Sequence, residues 1–116
     1  MHETHPGDRA AGSPLEQFQT AADLWQEHRA AEFPGRLRGV EFEDIDMVML
    51  DADTAACTFA WVNNGGPLDP ERKRILQTCV EDLDRVIPQV SDLSGRRYYQ
   101  RLHQLAILVL EALDAK

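Results

Sequence analysis

The sequence is short of basic residues, of cysteine and of long apolar runs, and each shortage excludes a class of function. Lys and Arg together number 12 against 20 Asp and Glu, leaving a net charge of −8. Nucleic acid needs a basic footprint to meet its phosphates, so it is excluded as the main partner. Cys57 and Cys79 are the two cysteines, too few for a disulfide framework, and neither belongs to a Cys-x-x-Cys pair. The longest apolar run, Leu105 to Leu110, is far below the roughly 20 residues that cross a bilayer, so no membrane span is expected. Met1-His2-Glu3-Thr4-His5-Pro6 lacks the charged-then-apolar order of a secretion signal, and the expected location is cytoplasmic. No glycine-rich phosphate loop or nucleophile elbow is present, so no cofactor is expected. His2 and His5 are one residue too close to stack at i and i+4 as zinc ligands on a helix, and no metal is expected either.

What remains is an ordinary globular composition, 43% apolar and 28% charged, over 116 residues. That length suits one domain. Residues 1–13 hold Pro6, Gly7 and Gly12 and, Met1 apart, no large apolar side chain, so they read as a flexible tail ahead of a helical domain over 14–116. Ser13-Pro14-Leu15-Glu16 is a helix start, with a capping serine, a first-turn proline and a glutamate that can reach back to the cap. Leu15, Phe18, Ala21, Ala22 and Trp25 then follow at helical steps, and Phe33-Pro34-Gly35 stops the helix. A second helix reads from about 43 to 63 and closes at Asn63-Asn64-Gly65-Gly66-Pro67. Asp69-Pro70-Glu71 opens a third, over 70–88, with Ile75, Leu76, Cys79, Val80, Leu83, Val86 and Ile87 as its stripe. After a polar turn at Ser91 to Gly95, a fourth runs over 96–114 and turns Tyr98, Tyr99, Leu102, Leu105, Ala106, Val109, Ala112 and Leu113 inward. Four helices with short connections predict an all-α, antiparallel up-down four-helix bundle. In that topology Arg36 and Arg38 of the first connector share an end with Arg96, Arg97 and the acidic start of helix 2.

Met47-Val48-Met49-Leu50-Asp51-Ala52-Asp53-Thr54 is an apolar run closed by Asp-x-Asp-x-Thr. It resembles the first motif of the haloacid-dehalogenase-type phosphatases. The resemblance implies a Mg²⁺-dependent phosphohydrolase with Asp51 as nucleophile, Asp53 as acid and base, and Lys73 neutralising phosphate. It covers eight residues, and the chain after Thr54 reads as helices rather than the alternating strands and helices of such a fold. Solvated helix acids are therefore the leading reading of both aspartates, with the phosphohydrolase as the alternative. His28 and His103 read as surface or boundary histidines, and Cys57 and Cys79 as small buried hydrophobes.

Helix 2 carries two apolar faces. At 100° per residue, Ile45, Val48, Met49, Ala52, Ala55, Ala56 and Phe59 gather on one side. Met47, Leu50, Thr54, Cys57 and Trp61 gather opposite in steps of three and four, a seam of coiled-coil type. Such a helix is sandwiched, either within its own bundle or between two chains. The seam Met47, Leu50, Thr54, Cys57, Trp61 is accordingly the candidate interface, and a small-ligand groove beside it is a further alternative. Six acids and no base lie between Glu41 and Asp53, a flank that could steer a basic protein. The expected function is a non-enzymatic interaction or regulatory module, a homodimer or the binder of a protein partner.

Overall fold

A computed structural model describes residues 13–64 and 68–114. Among them are four α-helices: α1 (Pro14–Ala30), α2 (Met47–Asn64), α3 (Pro70–Val86) and α4 (Leu93–Asp114). The expected flexible tail, apart from Ser13, and the turn at 65–67 lie outside the described residues. α1 starts with the anticipated capping box: the Glu16 amide donates to Ser13 Oγ at 3.0 Å, and the Ser13 amide donates to Glu16 Oε1 at 3.0 Å. α3 is capped by Asp69, whose Oδ1 accepts from the Arg72 amide at 2.7 Å, with Pro70 in its first turn.

Two helix starts differ from the sequence expectation. Residues 43–46 are not helical: Glu41–Phe42 and Ile45–Asp46 pair as a two-stranded antiparallel hairpin, β1 and β2. Its turn places Glu43 (φ 52°) and Asp44 (φ 67°) in the left-handed region, which matches the right-handed twist of a tight hairpin. Acids that read as a helix first turn thus form a hairpin turn, and Asp46 caps α2 by accepting from the Met49 amide at 2.9 Å. α4 begins three residues early, at Leu93. Asp92 Oδ2 accepts from the Gly95 amide at 2.7 Å and the Ser94 hydroxyl at 3.1 Å, so the polar turn is the cap and first turn of the helix. Gly95 fits because it has no side chain: a Cβ there would stand 3.0 Å from Asp92 Oδ2 and 3.3 Å from Val90 Cγ1.

The pairings between elements define the up-down order. Phe18 meets Trp61 and His28 meets Asp51, so α1 and α2 are antiparallel. Gln89 beyond α3 donates to Glu43 before α2, and Asp84 of α3 pairs with His103 of α4 while Lys73 pairs with Asp114, which sets α3 antiparallel to both neighbours. The two connectors therefore share an end. The arginines there take separate partners: Arg36 acts on Asp92, Arg38 lies over the Phe33 ring at 5.1 Å, and Arg96 donates to the Val90 carbonyl at 2.9 Å.

The core lies between α2, α3 and α4. It takes Leu76, Cys79, Leu83 and Val86 from α3, and Tyr98, Tyr99, Leu102, Leu105, Ala106 and Val109 from α4. From α2 it takes Met47, Leu50, Thr54, Cys57 and Trp61, all at most 4% exposed. This corrects the expectation for the seam: the chain's own helices fill it, and the broader face lies outward. Apolar area alone does not choose, since the other face carries Ile45, Val48, Met49 and Phe59 beside its three alanines. The inward side is the one where Trp61 meets Phe18 of α1 and the Met47 carbonyl accepts from Tyr99 of α4. The buried hydroxyls are satisfied locally, Thr54 donating to the Leu50 carbonyl at 2.7 Å and Thr58 to the Thr54 carbonyl at 3.0 Å.

Two predictions follow from this packing. Trp61→Ala should cost about 3–5 kcal/mol in denaturant unfolding, the range for a large core truncation, and leave the mass by light scattering at its wild-type value. Asp92 has its carboxyl held below its ordinary value of 3.8, chiefly by the Gly95 amide. The cap therefore stabilises fully above that value and is lost as pH falls through the lowered one. Asp92→Ala should melt at lower temperature than wild type at neutral pH, and the difference should vanish as pH falls below the lowered value of the carboxyl.

Candidate functional site

Three helices contribute to one polar cluster inside the bundle. His28 lies seven residues beyond Ala21 on the inward stripe of α1 and is 5% exposed. Its Nε2 is 2.9 Å from Asp51 Oδ1 on α2, and the Tyr98 hydroxyl of α4 donates to Asp51 Oδ2 at 2.8 Å. A carboxylate can only accept, so His28 Nε2–H is the donor in the first bond. The Tyr98 oxygen stands 3.4 Å from His28 Nε2, and the two rings lie 4.7 Å apart. Trp25 packs on His28 and Phe33 packs edge-on against Tyr98, so the cluster has aromatic walls. Burial, then the bond from Asp51 and its charge, push the Tyr98 phenol well above its ordinary 10, which keeps it a neutral donor. Tyr99 beside it is pushed up by burial and donates to the Met47 carbonyl at 2.6 Å. Arg101, one turn on, lies 3.8 Å from Glu27. His28 Nδ1 and Arg101 Nη1 are buried without a hydrogen-bond partner among the described residues.

The surface or boundary position expected for His28 is thus corrected. The spacing Ala21 to His28 carried the signal, since seven residues are two helical turns. Asp51 is drawn inward to the same cluster. Asp53 lies about 200° further round the helix and is exposed, so the two aspartates of the Asp-x-Asp-x-Thr run do not face a common space. Lys73 is occupied by Asp114 at 2.8 Å on the α3–α4 side. His103, expected at the surface, pairs there with Asp84 at 2.8 Å. Among the described residues no group of three or more His, Cys, Asp or Glu side chains is placed to hold a metal ion.

Cys57 and Cys79 are buried free thiols, as the sequence suggests. Burial raises both, Cys79 to about 11, while a hydrogen bond with Thr54 opposes the rise. Neither is poised as a nucleophile. Two open clefts among the described residues lie away from the seam. One, of about 560 Å³, is lined by Glu32, Phe33, Pro34, Gly35, Arg38 and Ser94. A second, of about 290 Å³, is lined by Ile87, Pro88, Gln100 and the His103–Asp84 pair.

The surface feature that stands out is the outer face of α2. Met49 is 56% and Phe59 44% exposed, and Ala52 and Ala56 between them are exposed as well. These four residues step by three, four and three, the spacing of the buried seam repeated on the opposite side. Phe59 stacks on Trp25 of α1 at 5.3 Å, which extends the apolar strip toward α1. The other rim is acidic. Asp53 of α2 and Asp69 at the start of α3 are exposed, and the charges of Asp53, Asp69 and Asp82 reach the buried thiols between the two helices. Two cations offset part of this charge: Arg72 is held by Asp69 at 2.9 Å, and Arg85 acts on Asp82.

The cluster makes a graded prediction. Asp51→Ala strands two buried donors, His28 Nε2–H and the Tyr98 hydroxyl, at about 1–3 kcal/mol each in unfolding experiments. Asp51→Asn retains an acceptor for Tyr98 and should lose about half as much. Equal losses in both variants would mean that the hydrogen bonds contribute nothing beyond the charge.

Compared with known proteins, the chain matches no family model, no curated protein and no solved structure.

Proposed function

We propose that the chain is a non-enzymatic protein-interaction module whose docking face is the outer face of α2. One observation carries this reading: with one apolar seam of α2 consumed by the core, a second seam of the same helical spacing, Met49, Ala52, Ala56 and Phe59, lies open to solvent. A peripheral helix needs one apolar face, so a second exposed one is accounted for by a surface that another chain covers. Ala52 and Ala56 keep the middle of the strip low enough for close approach of a helix, with Met49 and Phe59 as larger flanking contacts. The association expected at Met47, Leu50, Thr54, Cys57 and Trp61 moves to this opposite side of the same helix. Asp51, engaged by His28 and Tyr98, acts in this reading as a structural residue that orients α1 and α2 around the face.

Neutral bulk in the middle of the strip tests the reading. Ala56→Gln lies on the surface and should melt within about 0.5 kcal/mol of wild type. Immobilised wild-type protein should retain a bound chain, another protein or a second copy, that the Ala56→Gln variant releases. Identical retention by the two proteins, or none by either, would overturn the proposal.

A further inference from the structure

We infer that the occupant of the α2 outer face is a basic amphipathic helix of a partner protein, an inference that rests on the docking reading above and adds the chemistry of the partner. The apolar strip selects the shape. Met49, Ala52, Ala56 and Phe59 recur at three- and four-residue steps along α2, a straight stripe that an apolar helix seam matches along its length. The rim selects the charge. On α2 itself the stripe is bordered by Asp53, which is exposed, and Asp69, the exposed cap of α3, adds an acid on the neighbouring helix. The hairpin at the Met49 end adds Glu41, Glu43 and Asp44, all exposed. Among the described residues none of Glu41, Glu43, Asp44, Asp53 or Asp82 forms an ion pair, and Arg72 is already held by Asp69. Arg38 and Arg96 at the hairpin end take partners elsewhere, over Phe33 and on the Val90 carbonyl, while the charge of Arg36 acts on Asp92. Arg85 acts on Asp82, so the acids left without a cation beside the stripe are Asp53 on α2 and Glu41, Glu43 and Asp44 of the hairpin.

A second copy fits less well. Two α2 helices packed face to face and antiparallel, with Ala52 against Ala56 of the other copy, would bring Asp53 close to its own counterpart near the two-fold axis. A chain of net charge −8 would there oppose like to like. A helix with an apolar seam and Lys or Arg along one flank instead satisfies the strip and the rim together.

The experiment uses two synthetic 18-residue helical peptides with one identical leucine seam, one flanked by lysine and the other by glutamate. Each is titrated into the full chain by calorimetry, with emission of Trp25, which stacks on Phe59, as a second readout. The Lys-flanked peptide should bind the wild type. Affinity should drop at least about tenfold in Ala56→Gln, where bulk fills the strip, and by several-fold in Asp53→Asn or when salt is raised to about 0.5 M. The Glu-flanked peptide should bind at least about tenfold more weakly. Both peptides binding alike, with Ala56→Gln abolishing both, would overturn the charge assignment and leave the docking face standing. A Lys-flanked peptide that binds Ala56→Gln as well as wild type would be sitting elsewhere on an acidic surface, and the inference would fail. A wild-type dimer by light scattering, dissociated by Ala56→Gln, would name the second copy as occupant and overturn the inference while supporting the docking reading. If no peptide binds and no association depends on Ala56, both fall.

Discussion

One helix with two apolar seams and one core to fill is the constraint from which the rest of this structure follows. α2 packs against α1, α3 and α4, yet only one of its sides can face them all. The side carrying Met47, Leu50, Cys57 and Trp61 is the one that meets all three, with Trp61 against Phe18 of α1, the Met47 carbonyl on Tyr99 of α4 and Cys57 buried in the shared core. That choice sends Met49 and Phe59 outward, and it sets Asp51 toward α1 and α4 while Asp53 points to the α3 boundary. The buried core, the polar cluster and the exposed strip are consequences of a single rotation of α2 about its axis.

The polar cluster controls how α1 joins this core. α1 buries Ala21 and His28 and packs Phe18, Leu24 and Trp25 half-buried against the core. Phe18 on Trp61, Trp25 on Phe59 and the His28–Asp51 bond fix it to α2. A polar bond is directional where apolar contact is not, so the His28–Asp51–Tyr98 bonds add a fixed point to the placement of α1. Because Trp25 also borders the exposed strip, the placement of α1 shapes the proposed docking face. Stability and recognition thereby share residues at the α1–α2 boundary.

A docking role also explains why the acids between Glu41 and Asp53 are divided among different tasks. Asp46 caps α2, Asp51 ties three helices together, Glu43 accepts from Gln89, and Asp53 stays free at the rim. A run of like charge is thus partly structural, and the fraction left unpaired lies beside the apolar strip. That juxtaposition, rather than net charge, gives the proposed face its selectivity.

The sequence by itself determined the features written in local chemistry. The capping box of Ser13 and Glu16, the Asp69-Pro70 start of α3 and the seven-residue rhythm of α4 each follow from contacts within one or two turns, so the bundle class was legible. It also showed that α2 has two apolar faces. Which face turns inward was decided by tertiary structure, because periodicity records the direction of apolar residues and not the volume waiting on either side. The same holds for the hairpin at Glu41–Asp46, where acids suited to a helix start adopt left-handed backbone because pairing of β1 with β2 and the Val40–Met47 hydrogen bond reward a turn. The His28–Asp51–Tyr98 cluster lay furthest from the sequence. Its members are 23 and 47 residues apart along the chain, and only the packing of α1, α2 and α4 brings them within hydrogen-bond distance.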